Sequence, residues 1–292
     1  MKNINWSELG FGYFKTDYNV RCEYKDGKWG ELYATEDVNM NIHMASTSLH
    51  YGQEVFEGLK AFRGVDGKVR LFRVEENAKR MINSGEYLKM AVPSVELFTK
   101  ACIEAVKLNA DYIPPYGSGA SLYLRPMLIG VGPQVGVKPS ADYMFAVFVT
   151  PVGPYFKDGF NCIKVIVDYD HDRAAPKGTG HVKVGGNYAA SLDSGEIAHQ
   201  KGFASVIFLD PATKQYIDEC SAANFFGIRD GKYITPDSHS VLPSITNKSL
   251  RQIAEDLGLQ VEQRKVNIDE LPTFSETGCC GTAAVISPIG SV

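Results

Sequence analysis

One lysine, Lys183, sits in a glycine-rich bend, His181-Val-Lys-Val-Gly-Gly-Asn-Tyr-Ala-Ala-Ser191, just ahead of a helical stretch. A lysine amine is a poor nucleophile at its ordinary pKa, and it becomes useful when a cofactor aldehyde captures it as an imine. Gly178, Gly180, Gly185 and Gly186 leave the backbone little bulk, so a flat ring can approach it closely. The same residues also suit a solvated charge in a loop, and the lysine alone does not separate the two readings.

Downstream lies Asp218-Glu-Cys-Ser-Ala-Ala-Asn224, at the end of an expected strand. An electron-withdrawing pyridine ring needs an acidic partner at its nitrogen, and Glu219 suits that task. An exposed structural carboxylate is the plainer alternative. Val241-Leu-Pro-Ser-Ile-Thr-Asn-Lys-Ser249 then feeds a helix, with Thr246 where an N-cap belongs. Unpaired amides at a helix start form a phosphate cradle, and simple capping is compatible with the same pattern. Gly278-Cys-Cys-Gly-Thr-Ala-Ala284 supplies a second small-residue turn able to hold an anion.

The elements that position these groups divide at Pro151-Val-Gly-Pro-Tyr-Phe-Lys-Asp-Gly159, where periodicity stops. We expect a small N-terminal domain over 1–150, an interdomain loop over 151–160 and a larger cofactor domain over 161–292. In the first, Lys68–Arg73 alternates like a strand, Val74–Met90 has helical spacing, and Ser94 caps a helix to about Leu108. Ser121–Ile129 and Tyr143–Thr150 read as strands. In the second, strands are expected over Lys164–Val167, Ala204–Leu209, Gln215–Ile217, Phe225–Ile228 and Tyr233–Ile234, with turns that suggest antiparallel neighbours. Helices are expected over about Tyr188–Lys201 and Asn247–Leu257, stopped by Gly202 and Gly258. Both halves are α+β.

Composition excludes several classes of function. With 292 residues, 44% hydrophobic and 22% charged, the chain has the make-up of an ordinary globular protein of two domains. A net charge of −4 without a basic stripe argues against nucleic acid and anionic membranes as partners. No apolar stretch approaches the ~20 residues of a membrane span, and the first residues lack a signal-peptide core, so a cytoplasmic protein is expected. Six scattered cysteines and six isolated histidines show no metal-ligand spacing, so no metal is expected and the thiols read as reduced and mostly core residues.

In this order, these segments resemble the branched-chain amino acid aminotransferases among the fold-type IV pyridoxal phosphate enzymes. The resemblance also covers Phe11-Gly-Tyr-Phe-Lys-Thr-Asp17, Leu49-His-Tyr-Gly-Gln-Glu-Val-Phe-Glu-Gly-Leu-Lys-Ala-Phe62 and Leu122-Tyr-Leu-Arg-Pro126, and so nearly the whole chain. It implies a two-domain α+β fold like that of D-amino acid aminotransferase, with pyridoxal 5'-phosphate as cofactor. It implies transamination of leucine, isoleucine and valine with 2-oxoglutarate by a ping-pong mechanism, in a homodimer whose sites are completed across the interface.

Carried over by position, the resemblance makes Lys183 the Schiff-base lysine and proton carrier, Glu219 the pyridinium partner and Tyr188 the hydrogen-bond partner of the phenolic oxygen. Arg80, Ile245, Thr246 and Thr282 would hold the phosphate. Tyr123 and the amides of Thr282 and Ala283 would receive the substrate α-carboxylate. Arg125, with Tyr51 of a neighbouring subunit, would receive the distal carboxylate of glutamate. Phe56, Tyr155 and a neighbour's Val135 and Val137 would wall the apolar pocket. Tyr123 and Arg125, two apart on a strand, should share a face.

Two departures from the family pattern stand out. Ala284 and Ser287 occupy the places of the redox-active cysteine pair found in mammalian members, so thiol control is expected to be absent. Family members also continue past the position of Val292, so part of the cover of the last domain is expected to be missing. The alternatives within the superfamily are a D-amino acid aminotransferase or an aminodeoxychorismate lyase. Outside it, the alternative is a catalytically silent cofactor-binding or interaction module.

Overall fold

The computed structural model describes residues 2, 4–155 and 161–292, so residues 156–160 of the expected linker lie outside it. The chain divides into two compact units, Met1–Tyr155 with Lys183–Gly185, and Phe156–Val182 with Gly186–Val292. The three residues Lys183–Gly185 thus pack with the N-terminal half, which an uninterrupted 161–292 domain does not foresee. Pro151 and Val152 differ too, since they continue a strand rather than open a loop.

The first unit holds strands β1 (Asn19–Lys25), β2 (Lys28–Trp29), β3 (Tyr33–Thr35), β4 (Glu54–Phe56), β5 (Leu59–Arg63), β6 (Val69–Leu71), β7 (Ser121–Gly130) and β8 (Tyr143–Val152). Its helices are α1 (Thr47–Tyr51), α2 (Val74–Tyr87) and α3 (Val95–Leu108). The sheet runs β2-β1-β8-β7-β5-β6, with β3 added on β1 and β4 on β7. Period-two alternation sorts its faces. Leu122, Leu124 and Leu128 of β7 and Phe145, Val147 and Val149 of β8 are buried. Phe98 of α3 stacks on Phe145 at 5.8 Å. As the sequence predicts, Ser94 caps α3, its side chain accepting from the Leu97 amide at 3.1 Å. The opposite face carries Tyr123 and Arg125, with Lys60 of β5 directly across from Tyr123.

An N-terminal arm is tied along β8: the Phe14 amide donates to Thr150 Oγ1 at 2.8 Å, and Thr16 Oγ1 donates to the Val149 carbonyl at 2.9 Å. Asn109, just after α3, anchors the arm. Its Oδ1 accepts from the Asp17 and Tyr18 amides, and its Nδ2 donates to the Tyr18 and Ala105 carbonyls, all within 3.1 Å.

The second unit holds β9 (Ile163–Asp168), β10 (Ser205–Leu209), β11 (Ile217–Cys220), β12 (Ala223–Arg229), β13 (Lys232–Pro236), β14 (Gln260–Arg264), β15 (Glu276–Gly281) and β16 (Val285–Ser291). Strands β9, β10, β11, β12, β15 and β16 pair in a closed ring, and β13 and β14 extend it from β12. Closure removes the exposed edges of an open sheet. The core of this unit includes Val165, Ile207, Leu209, Ile217, Phe225 and Cys279.

Three expectations are corrected here. The turns after β10 and β12 do join antiparallel pairs, but β9 runs parallel to β10 and to β16. A parallel pair requires a long crossover, and the crossover from β9 to β10 is the segment that carries Lys183. The expected helix Tyr188–Lys201 is two helices, α4 (Gly185–Ala189) and α5 (Leu192–Gln200). Between them Ser191 Oγ donates to the Tyr188 carbonyl at 2.8 Å, a local bond that competes with helix continuation. The strand expected at Gln215–Ile217 begins instead at Ile217 and runs through Glu219. Helix α6 (Ile245–Asp256) follows β13. Gly202 and Gly258, at φ +82 and +84, end α5 and α6 as expected.

Asn109→Ala should lower the denaturant midpoint of the first unit by about 1–3 kcal/mol equivalent, because buried amides and carbonyls lose their partners. Tryptophan fluorescence checks this, since Trp6 and Trp29, the only tryptophans, both belong to that unit.

Candidate active site

In the first unit the site is built on β4, β7 and α2. Three bonds fix the lysine segment against them. The Phe56 amide donates to the Lys183 carbonyl at 3.2 Å, the Lys183 amide donates to Ser84 Oγ at 3.0 Å, and the Gly185 amide donates to Glu54 Oε1. A Cβ on Gly185 would collide with that carboxylate, which is a specific reason for glycine there.

So held, the Lys183 amine lies 4.7 Å from the centre of the Phe56 ring, and the Arg125 guanidinium lies 4.7 Å from the same centre. Arg125 Nε and Nη2 donate to the Tyr123 hydroxyl at 3.3 and 3.2 Å. Phe11 meets both Tyr123 and Tyr155 edge-on, at 5.1 and 5.2 Å. The unit therefore brings together Lys183, Phe56, Tyr123, Arg125 and Tyr155. Gly58 makes room for this, since a Cβ there would meet the Tyr123 hydroxyl.

Burial, and then the positive charge of Arg80, pull the Lys183 pKa down to about 8. The charge of Glu57 opposes that shift. Arg80, on α2, is gripped by the fully buried Glu57: Nε to Oε1 at 2.7 Å and Nη2 to Oε2 at 2.8 Å. Asn77 Nδ2 adds a 2.7 Å bond to the same carboxylate. This fork orients a planar cation that suits an oxyanion. Glu57, Glu54, Ser84 and Phe11 were not singled out from the sequence. Glu54, Glu57 and Phe11 stand inside segments that carry the resemblance, and that is the available signal for them.

Tyr51, Val135 and Val137 lie elsewhere in this unit. The Tyr51 hydroxyl donates to the Val135 carbonyl, and the two valines are 84% and 86% exposed.

In the second unit Glu219 is buried on β11. Its Oε2 accepts from Asn224 Nδ2 at 2.8 Å, its Oε1 from the Leu242 amide at 3.2 Å, and Arg173 pairs with Oε1 at 2.5 Å. Arg173 also donates to the Gly180 and Ser240 carbonyls. It lies in a segment without periodicity, so nothing in the sequence marked it. Asn247 continues the chain: its Nδ2 donates to Asn224 Oδ1 at 3.2 Å and to Thr235 Oγ1 at 2.8 Å, and its Oδ1 accepts from the Tyr233 hydroxyl at 2.9 Å. Asn247 belongs to the first turn of α6, so Glu219 is linked through Asn224 to the helix start.

The cap of that helix is Ser244, not Thr246: the Ser244 side chain accepts from the Asn247 amide at 3.2 Å. Ser244 stands two residues earlier, and from there its side chain satisfies the third amide of the turn. The amides of Ile245 and Thr246 then have no intrahelical partner and suit an anion. Tyr188 lies in α4, and Thr282 and Ala283 lie in the turn joining β15 to β16. Among the described residues no group of three metal-ligating side chains occurs.

The family described as Amino-transferase class IV matches residues 54–292. The branched-chain-amino-acid aminotransferase of Haemophilus influenzae is 53% identical over 299 residues, covering 100% of this chain and 87% of that protein. The structure of the Escherichia coli branched-chain amino acid aminotransferase agrees with a TM-score of 0.79 at 29% identity, covering 95% of this chain and 87% of the other. The branched-chain aminotransferase of the thermophilic archaeon Thermoproteus uzoniensis, solved with norvaline, gives 0.77 at 27% identity, covering 92% and 86%. This chain belongs to the class IV aminotransferases and, within them, to the branched-chain-amino-acid aminotransferases, with the fold-type IV architecture.

The environment of Lys183 sets a pH dependence. With a lowered pKa its amine is charged below about 8 and neutral above it, whereas solvated lysines lose their charge near ~10.4. In protein stripped of small molecules, acetylation of Lys183 followed by mass spectrometry should rise to half its limit near pH 8. A midpoint shared with the surface lysines would contradict this environment.

Proposed function

We propose that this chain transaminates leucine, isoleucine and valine with 2-oxoglutarate, giving branched 2-oxo acids and glutamate, with pyridoxal 5'-phosphate as cofactor. The observation that carries the reading is the pair of cations, Lys183 and Arg125, over one phenylalanine ring. One is an amine suited to proton transfer, and the other is a fixed charge suited to a second carboxylate.

In kind, the donors that the resemblance names suit the cofactor. Arg80 and the amides of Ile245, Thr246 and Thr282 would hold its phosphate, Glu219 its ring nitrogen, Tyr188 its phenolic oxygen and Lys183 its aldehyde carbon. When bound, the cofactor supplies an electron sink for the substrate α-carbon. Lys183 Nζ takes the α-proton, and its lowered pKa leaves a larger neutral fraction near physiological pH than an ordinary lysine has. Glu219, paired with Arg173 and fixed by Asn224, presents a fixed negative charge to the ring nitrogen.

Substrate selection follows from the aromatic wall. Phe56 and Tyr155, with Val135 and Val137 of a second copy, would exclude water from a branched side chain. Tyr123 and the Thr282 and Ala283 amides would receive the α-carboxylate shared by both substrates. Arg125, helped by Tyr51 of the second copy, would receive the distal carboxylate that glutamate alone possesses. The exposure of Tyr51, Val135 and Val137 within one chain supports a role across a homodimer. No helix among the described residues is long and apolar enough to cross a membrane.

The test separates the two half-reactions. Arg125→Met should reduce kcat/KM for 2-oxoglutarate roughly ten- to a hundredfold, the loss of a charge-assisted hydrogen bond of about 1.5–3 kcal/mol, and spare the leucine half-reaction. Equal losses in single-turnover measurements with the two substrates would assign Arg125 to the fold or to the shared α-carboxylate, against the reading.

A further inference from the structure

The second unit contains a cavity of about 420 Å³ whose lining includes none of the residues assigned above to cofactor or substrate. We propose that this cavity is a separate binding site for a small amino acid zwitterion, held by its ammonium at Asp218 and by its carboxylate at Lys177 and Lys265.

Asp218 carries the argument. It lines the cavity, is 3% exposed, and its Oδ1 has no hydrogen-bond partner. A buried carboxylate oxygen left unpaired is costly, and a cationic donor is the partner that relieves it best. Burial raises the Asp218 carboxyl to about 6; a hydrogen bond from Ser238 opposes the rise, while the charges of Glu219 and Asp210 add to it. The charge of Arg173 opposes the rise, and near neutral pH the group is ionised with its Oδ1 still lacking a donor. Asp210 does not compete for an ammonium, because its oxygens are spent on its own turn, accepting from the amides of Thr213, Gln215 and Tyr216 within 2.9 Å.

The rest of the lining selects the ligand. Two lysines face the cavity, and the Lys265 amine lies 5.0 Å from the centre of the Tyr216 ring. With Asp210, Asp218 and Asp237 the lining carries both signs of charge, which favours a ligand that brings a carboxylate with its ammonium. Pro176, Pro211, Ala212 and Ile217 form the apolar part of the wall, against which a short aliphatic side chain fits. The volume is in the range of small-molecule pockets.

Binding is read directly, so the test is independent of turnover. Holoenzyme reduced with borohydride, and thereby inactivated, is dialysed to equilibrium against radiolabelled L-leucine. The parent should bind about one leucine per chain in this cavity, and Asp218→Asn should bind at least tenfold more weakly. Lys265→Met, a substitution at an exposed side chain, should weaken leucine severalfold yet leave unchanged the binding of isopentylamine, which lacks the carboxylate. Absence of leucine binding by the reduced parent overturns the proposal, as does equal affinity in parent and Asp218→Asn. Equal loss of leucine and isopentylamine in Lys265→Met overturns the assignment of the carboxylate. A holoenzyme that turns over leucine but fails these tests leaves the aminotransferase reading intact.

Discussion

The chemistry of this chain depends on where three backbone groups find their partners. Lys183 and Gly185 lie in a crossover between parallel strands, a connection with no ladder of its own, so their amides and carbonyls need partners from elsewhere. Ser84, Phe56 and Glu54 supply them. The consequence is chemical: the same bonds that satisfy the backbone hold the amine beside the Phe56 ring and within the field of Arg80. Its lowered pKa follows from that placement and not from the lysine itself. Arg80 in turn is immobilised by Glu57, whose full burial makes the pair expensive to break from one side.

The second unit uses polar burial in a comparable way. Glu219, Asn224, Asn247, Thr235 and Tyr233 form a connected set of side-chain bonds, and Arg173 closes it at one end. Such a network stabilises one arrangement when every member is satisfied and penalises partial arrangements. It fixes the position of a carboxylate relative to two helix-start amides, and Thr235 ties it to the core by donating to the Phe225 carbonyl at 2.8 Å.

Much of this was legible in the sequence because it was local. Ser94, the glycines that end α5 and α6, and the alternation that puts Tyr123 and Arg125 on one face obey rules spanning a few residues. Lys183 and Glu219 were legible as chemical types, and their roles came from resemblance to a family. What stayed hidden was set by distant partners. Whether β9 pairs parallel or antiparallel is decided by strands far along the chain. Arg173 has no periodicity and acquires meaning only beside Glu219. The Ser244 cap was displaced by two residues because serine and threonine both satisfy the local pattern, and only the geometry of the turn chooses between them.

If Lys183 and Arg125 serve one dual-substrate transamination, the absorption spectrum of the holoprotein reports it. Titration with L-leucine should bleach the visible cofactor band, 2-oxoglutarate should restore it, and D-alanine should leave it unchanged. A spectrum indifferent to leucine, or one bleached by D-alanine instead, would contradict the account.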